Sequence, residues 1–135
     1  MDKITTSEKI ILVVDDDLLA LRAVCDKFKS EGFGIREAKN GEEGLTTALR
    51  DHPDLILLDI MMPVMDGMTM LRKLRETNEW GKTVPVIMLT SLTADDEERM
   101  RDITELTPTY YLAKADWKLE DLVEKVRDRL ETLHS

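Results

Sequence analysis

The sequence predicts a doubly wound α/β domain in which five parallel strands alternate with five helices. Short apolar runs lack the polar alternation of half-exposed strands, which is typical of strands buried on both faces of a parallel sheet. Between these runs, apolar residues recur at the spacing of amphipathic helices. The second strand candidate instead alternates and carries charged residues, as expected at a sheet edge. The flavodoxin-like strand order 2-1-3-4-5 places that strand at an edge.

The strand candidates are short, and most of them are followed by polar residues. They cover residues 10–14, 33–38, 55–58, 84–89 and 110–113. The carboxyl ends of parallel strands share one edge of a sheet, where open α/β sheets bind their ligands. The residues that follow the strands are therefore the first candidates for a functional site.

The helices are predicted from apolar stripes and from the residues that begin and end them. The stripes contain Leu21 and Phe28, Leu45 and Leu49, Leu71 and Leu74, and, in the closing helix, Leu122 and Val126. Asp17 is the candidate N-cap of the first helix, and Gly32 ends it. Asn40 with Glu43 resembles a capping box at the start of the second. Thr93 is the candidate cap of a fourth helix.

The length and charge of the chain restrict its class. A chain of 135 residues suits one domain, which we expect over residues 9–133 after a polar tail at residues 1–8. The net charge is −9, with 28 acidic against 19 basic residues. That balance argues against non-specific binding to nucleic acid or to an anionic membrane, because both need a cationic surface.

Cysteine content and the N-terminal sequence point to a reducing compartment. Cys25 is the only cysteine, so the chain forms no internal disulfide and no thiol-metal cluster. The first residues lack the apolar core of a signal peptide, and no run approaches the length of a membrane span. We expect a cytoplasmic protein.

The third strand leads to the most informative position. Its apolar run ends at Asp59, Pro63 then prevents further ladder pairing, and Asp66 with Gly67 turns the chain into the next segment. A carboxylate at the end of a buried strand lies where a ligand would bind. Asp59 is therefore the expected centre of the site.

Other strands bring complementary groups to the same edge. Asp15 and Asp16 follow the first strand, Thr90 ends the fourth and Lys114 follows the fifth. Carboxylates gathered there repel one another unless a cation lies among them. Because neither histidine follows a strand and no thiolate is offered, the oxygen ligands favour a hard ion, and an incomplete carboxylate set favours Mg²⁺.

This combination of groups suits the acceptance of a phosphoryl group. A carboxylate beside Mg²⁺ can attack phosphorus and become an aspartyl phosphate. The metal and Lys114 would neutralise charge on the phosphoryl oxygens, and Thr90 would donate a hydrogen bond to them.

The chain resembles the receiver domain of two-component response regulators, including the chemotaxis regulators, over residues 9–133. The resemblance rests on VVDDD at residues 13–17, LLDIMMPVMDG at 57–67, MLTS at 88–91 and YLAK at 111–114. Four motifs in this order, each at the end of a predicted strand, form a specific pattern.

The resemblance implies a role for each residue at the metal. Asp59 would be the phosphoacceptor and a ligand of Mg²⁺. Asp16 would bind the ion directly and Asp15 largely through water. The backbone carbonyl of Met61 would complete the protein ligands.

It also implies a switch and two classes of partner. Lys114 would pair with Asp59 and then with the phosphoryl group, while Thr90 turns toward that group and Tyr111 swings inward. The fourth helix, fifth strand and closing helix would then present an altered face to a downstream target, to a missing output domain, or in a phosphorylation-dependent dimer. A sensor histidine kinase or a phosphotransfer protein would donate the phosphoryl group. No catalytic activity is expected beyond the assistance the domain gives to its own phosphorylation and slow dephosphorylation.

The sequence departs from the family pattern after Lys114 and at residues 106–108, where the Gly-Ala pair common before the last strand is absent. Ala115 follows Lys114, where most members have a proline with a cis bond; since a cis bond before a residue other than proline costs about 3–4 kcal/mol, we expect a trans bond. Met61 and Leu92 stand two residues beyond Asp59 and Thr90, where the family positions hydrolytic water. Neither side chain can orient water, so we expect slow self-dephosphorylation.

Three other functions compete with this interpretation, and the residues argue against two of them. A pseudo-receiver would dock proteins without being phosphorylated, and a phosphodonor assay would distinguish it. A phosphatase of the haloacid-dehalogenase type needs an acid two residues after its aspartate nucleophile, where this chain has Met61. A flavodoxin-like FMN binder needs a phosphate loop rich in glycine and hydroxyl groups, whereas the acids at residues 15–17 would repel a phosphate.

Overall fold

The fold is described from a computed structural model of the chain. It describes residues 9–60, 62–90, 110–113 and 118–134, and among these the side chains of residues 9–60, 62–89 and 118–131. The predicted tail at residues 1–8 and the helix expected after Thr93 lie outside the described residues. None of the described helices is both long enough and apolar enough to cross a membrane.

Up to the fourth strand, strands alternate with helices as the apolar pattern predicts, except that two helices follow the third strand. The elements are β1 Ile10–Val14, α1 Leu18–Ser30, β2 Gly34–Ala38, α2 Gly41–Asp51, β3 Leu55–Asp59, α3 Gly67–Thr77, α4 Glu79–Thr83, β4 Val86–Thr90, β5 Tyr110–Ala113 and α5 Leu119–His134. The doubly wound α/β fold is confirmed.

The strands of the described residues form one parallel sheet with the order β2-β1-β3-β4-β5. This is the predicted order, and β2 lies at an edge as its charged residues indicate. The central strand β3 is buried along its whole length between β1 and β4. The carboxyl ends of the strands share one edge, which carries the candidate site.

The core has two layers because successive residues of a strand point to opposite faces. One layer packs under α1 and α5 and contains, among others, Ile11, Val13, Cys25, Phe28, Leu55, Leu57, Leu122 and Val126. The other packs under α2, α3 and α4 and contains, among others, Leu12, Val14, Ala48, Ile56, Leu58, Met70, Leu71 and Leu74. Helices on both faces explain why the strands are apolar throughout rather than alternating.

The predicted caps form at the ends of the helices. The side chain of Asp17 accepts hydrogen bonds from the backbone at the start of α1, and Gly32 follows that helix with a φ of 97°. At the start of α2, Asn40 Oδ1 accepts from Glu43 N at 2.9 Å. The return contact runs from the side-chain amide of Asn40 to the Glu43 carboxylate, so this is a variant of the capping box.

Three local features differ from the prediction. The short helix α4 was not predicted; Asn78 caps it by accepting from Gly81 N at 2.7 Å. Strand β4 begins at Val86 because Pro85 has no amide hydrogen to donate to the ladder. Strand β2 begins at Gly34, although Phe33 before it is buried in the core.

Candidate functional site

Asp59 ends the buried strand β3 and is itself almost enclosed. The residue is 4% exposed, and in the ladder it lies opposite Leu89 of β4. The next residue continues the pairing, since Ile60 N donates to Leu89 O at 3.1 Å. Pairing with β4 therefore holds the backbone both at Asp59 and at the residue that follows it.

Asp15 approaches the same edge from β1. Its backbone N–H donates to Ala38 O at 3.1 Å, which extends the pairing with β2 by one residue. Asp15 is only 2% exposed, and its Oδ1 accepts from Asp17 N at 3.0 Å, which sets the orientation of the carboxyl group. Asp17 caps α1 through its own side chain, as predicted.

Three carboxylates meet at this edge. One oxygen from each of Asp15, Asp16 and Asp59 lies within 4.8 Å of the other two, and Asp16 is the exposed member. Negative charges at this spacing repel strongly unless positive charge lies among them. Three converging oxygen donors, two of them buried, fit a hard divalent cation that keeps part of its water.

The sheet register brings one more predicted position, Thr90, to the same edge. Thr90 is the residue after Leu89, the ladder partner of Asp59, and lies opposite Ala113 of β5. Lys114 follows Ala113 in the sequence but lies outside the described residues, as does Met61.

Some predicted roles rest on parts of the chain that the structure does not describe. The backbones of Thr90 and Tyr111 are described within their strands, but their side chains are not. The bond between Lys114 and Ala115 also lies outside the described residues. The roles of Thr90, Tyr111, Met61 and Lys114 stay predictions.

Two features of the site were not predicted from the sequence. Gly67, expected only as part of a turn, lies against the backbone of Asp59; a Cβ at Gly67 would be 2.2 Å from Asp59 O. Leu18 and Leu19 are 58% and 85% exposed at the start of α1, directly after the acidic residues. The adjacent residues Asp66 and Gly67 indicate a turn, but nothing in the sequence predicts that Gly67 lies against the backbone of Asp59.

The chain is similar to several known proteins. The family model for the response regulator receiver domain matches residues 11–127. A protein-glutamate methylesterase/protein-glutamine glutaminase of Archaeoglobus fulgidus is 38% identical over 113 residues, which are 83% of this chain and 31% of that protein. A probable transcriptional regulator, ycf27 of Cyanophora paradoxa, is 34% identical over 124 residues, 92% of this chain and 49% of that protein. The chain thus spans half or less of the length of these relatives.

Solved structures agree with the sequence comparison. The chemotaxis response regulator CheY4 of Vibrio cholerae has a TM-score of 0.80 and 27% identity, with 90% of this chain and 98% of that chain covered. The CheX-CheY-BeF3-Mg complex of Borrelia burgdorferi has a TM-score of 0.77 and 28% identity, covering 89% of this chain and 87% of that chain. The chain belongs to the response regulator receiver domain family of two-component systems, whose general role is signalling by phosphorylation.

Proposed function

We propose that Asp59 accepts a phosphoryl group from a phosphohistidine on a sensor kinase or a phosphotransfer protein. An oxygen of the carboxylate attacks phosphorus, and the new O–P bond forms as the N–P bond breaks. The imidazole nitrogen keeps the electron pair, and the ring, protonated on its other nitrogen, leaves as neutral histidine. The observation that carries the proposal is the meeting of Asp59 with Asp15 and Asp16 within 4.8 Å.

Asp15, Asp16 and Asp59 would hold Mg²⁺ together with the carbonyl of Met61. When bound, the ion neutralises charge on the phosphoryl oxygens and on the carboxylates themselves. The oxygen donors support this assignment, as does a relative from Borrelia burgdorferi solved with Mg²⁺ and BeF3. Burial of Asp59 limits the access of water to the carboxylate that would carry the phosphoryl group.

The response to phosphorylation would begin at the edge of the sheet. Lys114 would hold the phosphoryl group, and Thr90 would donate a hydrogen bond to it. Tyr111, on the neighbouring strand, would turn inward as Thr90 moves. The altered surface would then bind a downstream protein or an output domain, consistent with the longer relatives that the chain matches only in part.

The donor protein would dock beside the acidic cluster. Leu18 and Leu19 are the exposed large apolar residues nearest to it in sequence, and burying them would help to exclude water during the transfer. Leu19→Asp should slow transfer from a phosphohistidine protein while leaving the reaction with acetyl phosphate unchanged. Equal slowing with both donors would mean that Leu19 affects the phosphoacceptor site and not the docking of the donor protein.

The direct test is phosphorylation by acetyl phosphate with and without Mg²⁺, followed by mass spectrometry of the intact protein. Wild type should gain one phosphoryl group only with Mg²⁺, and Asp59→Ala should gain none. Asp26→Ala, which removes an exposed carboxylate of α1, is the matched control and should behave as wild type. Equal labelling of wild type and Asp59→Ala would refute the assignment of Asp59.

The same experiment decides between the proposal and a pseudo-receiver. A folded wild type that is never labelled, with acetyl phosphate or with a phosphohistidine donor, would be a docking module only. We propose no catalytic activity of its own for this domain beyond its phosphorylation chemistry, and we expect it in the cytoplasm, in line with its single buried cysteine.

A further inference from the structure

Gly67, the first residue of α3, makes an unusually close approach to the strand that carries Asp59. A Cβ built on Gly67 would lie 2.2 Å from Asp59 O and 2.9 Å from Ile60 Cα. Real Cβ atoms essentially never come closer than 3.0 Å to another heavy atom. Among the described glycines, only Gly32 has a positive φ, so conformational freedom does not explain a glycine at position 67. Space does.

The start of α3 is also bonded to the end of β3. Gly67 N donates to Ile60 O at 2.9 Å, and this bond closes the loop that joins the two elements. Asp66 caps the helix, with its Oδ1 accepting from Thr69 N at 2.8 Å. On the opposite side, Ile60 is bonded to β4 through Leu89 O. The backbone around Asp59 is therefore clamped between β4 and the first turn of α3.

We infer that Gly67 is a positioning residue for Asp59, a role that rests on the proposed function. With a Cβ at position 67, the distance from that atom to Asp59 O would have to increase by about 0.8 Å, from 2.2 Å to 3.0 Å. Because β4 holds the other side, this movement would shift the Asp59 carboxylate relative to Asp15 and Asp16. Reacting groups and ligands lose much of their effect when misplaced by about 1 Å.

Gly81 offers a matched control in the same protein. It lies in α4, and a Cβ there would be 2.1 Å from Leu74 O, an equally severe clash with a backbone carbonyl. Gly81 contacts Leu74 and Asn78 rather than the acidic cluster. Overpacking costs each variant about 1–3 kcal/mol of stability, so stability alone cannot separate them. A positioning role predicts that they differ at the site.

The test compares wild type, Gly67→Ala and Gly81→Ala by calorimetric titration with Mg²⁺ alone and by the initial rate of labelling from acetyl phosphate. Both values are divided by the folded fraction measured by circular dichroism. Gly67→Ala should bind Mg²⁺ about tenfold more weakly and be labelled at least about tenfold more slowly, while Gly81→Ala matches wild type. Wild-type Mg²⁺ affinity in folded Gly67→Ala would overturn the inference.

The remaining outcomes are also decisive. If wild type binds Mg²⁺ but is never labelled, the proposed function fails, and the Mg²⁺ titrations still decide the role of Gly67. If Gly67→Ala is unfolded, all three proteins are compared in trimethylamine N-oxide, which favours the compact state. Failure of Gly67→Ala to fold there, with Gly81→Ala folded, would show a role in folding and overturn the positioning role.

Discussion

At the scale of single residues, Val64 adopts a conformation that its side chain disfavours. Its φ is 68°, and Met65 N donates to Pro63 O across it at 2.7 Å, which makes a strained three-residue turn. The left-handed region costs an L-residue roughly 1–2 kcal/mol, and β-branched residues are rarest there. The side chain is 76% exposed, so little packing offsets the cost.

Replacing Val64 should therefore stabilise the protein. Val64→Asn should raise the free energy of unfolding by about 1 kcal/mol, because asparagine occurs at positive φ several-fold more often than other residues that have a side chain. Val64→Ile keeps the branched Cβ and should give no gain. Urea denaturation of the two variants checks this, and an equal change in both would rule out backbone strain as the cause.

Cys25 is buried in the core layer under α1, and its thiol should stay protonated in the native state. Burial is the main cause that raises the pKa of Cys25 from 9.0 to about 12, with the charge of Glu37 adding to it. The unfolded chain loses this proton at lower pH, so the stability contributed by the raised pKa is present below about pH 9 and is lost as the pH rises toward 12.

This linkage predicts a pH-dependent difference between wild type and Cys25→Ala. Above about pH 9, the stability advantage of wild type should shrink by up to about 1.4 kcal/mol per pH unit. Other groups that titrate in this range are common to both proteins and cancel in the comparison. Denaturation curves between about pH 8 and pH 11 measure it, and a constant difference would contradict the burial of a protonated thiol.

If Asp59 is phosphorylated as proposed, we expect Met61 and Leu92 to affect the lifetime of that state. Neither side chain has a polar group that could orient an attacking water, so the acyl phosphate should decay slowly. Replacing both with glutamine should accelerate the decay, measured by loss of label after removal of the phosphodonor. A half-life of seconds in the unaltered protein would contradict this prediction.

At the scale of elements, Arg75 joins α3 to the unpredicted helix α4. Its Nη1 donates to the carbonyl oxygens of Gly81 and Val84, both at 2.8 Å, where α4 ends. Burial lowers the pKa of this guanidinium from its ordinary value, which indicates that the charge is held away from water. The side chain thus supplies the donors that the last carbonyls of the short helix lack.

Removal of Arg75 should be costly. Arg75→Ala leaves two carbonyls without this donor and should lower the free energy of unfolding by about 2 kcal/mol or more. Arg75→Lys should recover only part of the loss. Lysine keeps the charge and can donate hydrogen bonds, but it lacks the planar guanidinium group of arginine. Arg72→Ala, an exposed change on the same helix, should be nearly neutral in the same denaturation experiment. Equal losses for the two alanine variants would contradict this role.

At the scale of the whole molecule, the acidic cluster should couple metal binding to folding. Mg²⁺ that binds only the native state stabilises it by mass action, so the thermal midpoint should rise with Mg²⁺ concentration. Asp16→Asn removes one of three crowded charges; it should raise the midpoint in the absence of Mg²⁺ and reduce its dependence on the ion.

Thermal unfolding at several Mg²⁺ concentrations measures both effects. Asp26→Asn, which neutralises an exposed acid outside the cluster, should retain the wild-type response. A midpoint in Asp16→Asn that rises with Mg²⁺ as in wild type would show that the ion binds elsewhere.

Much of this architecture follows from local rules that can be applied to the sequence. Uninterrupted apolar strands require helices on both faces, and the charges of β2 require an edge, so fold class and strand order were predictable. Asp17 and Asn40 mark helix starts because their side chains satisfy backbone donors wherever a helix begins. The short helix α4 was missed because five residues contain too little periodicity to signal a helix.

The sequence by itself determined that acidic residues end two buried strands, and parallel strands carry such residues to one edge. Only the tertiary structure decided that the oxygens of Asp15, Asp16 and Asp59 come within 4.8 Å, because that distance depends on register and twist. Likewise, DG in the sequence indicates a turn, but the contact between Gly67 and the Asp59 backbone exists only once α3 has packed. Local patterns specify elements, whereas spacing between segments far apart in the chain depends on the packing of all of them.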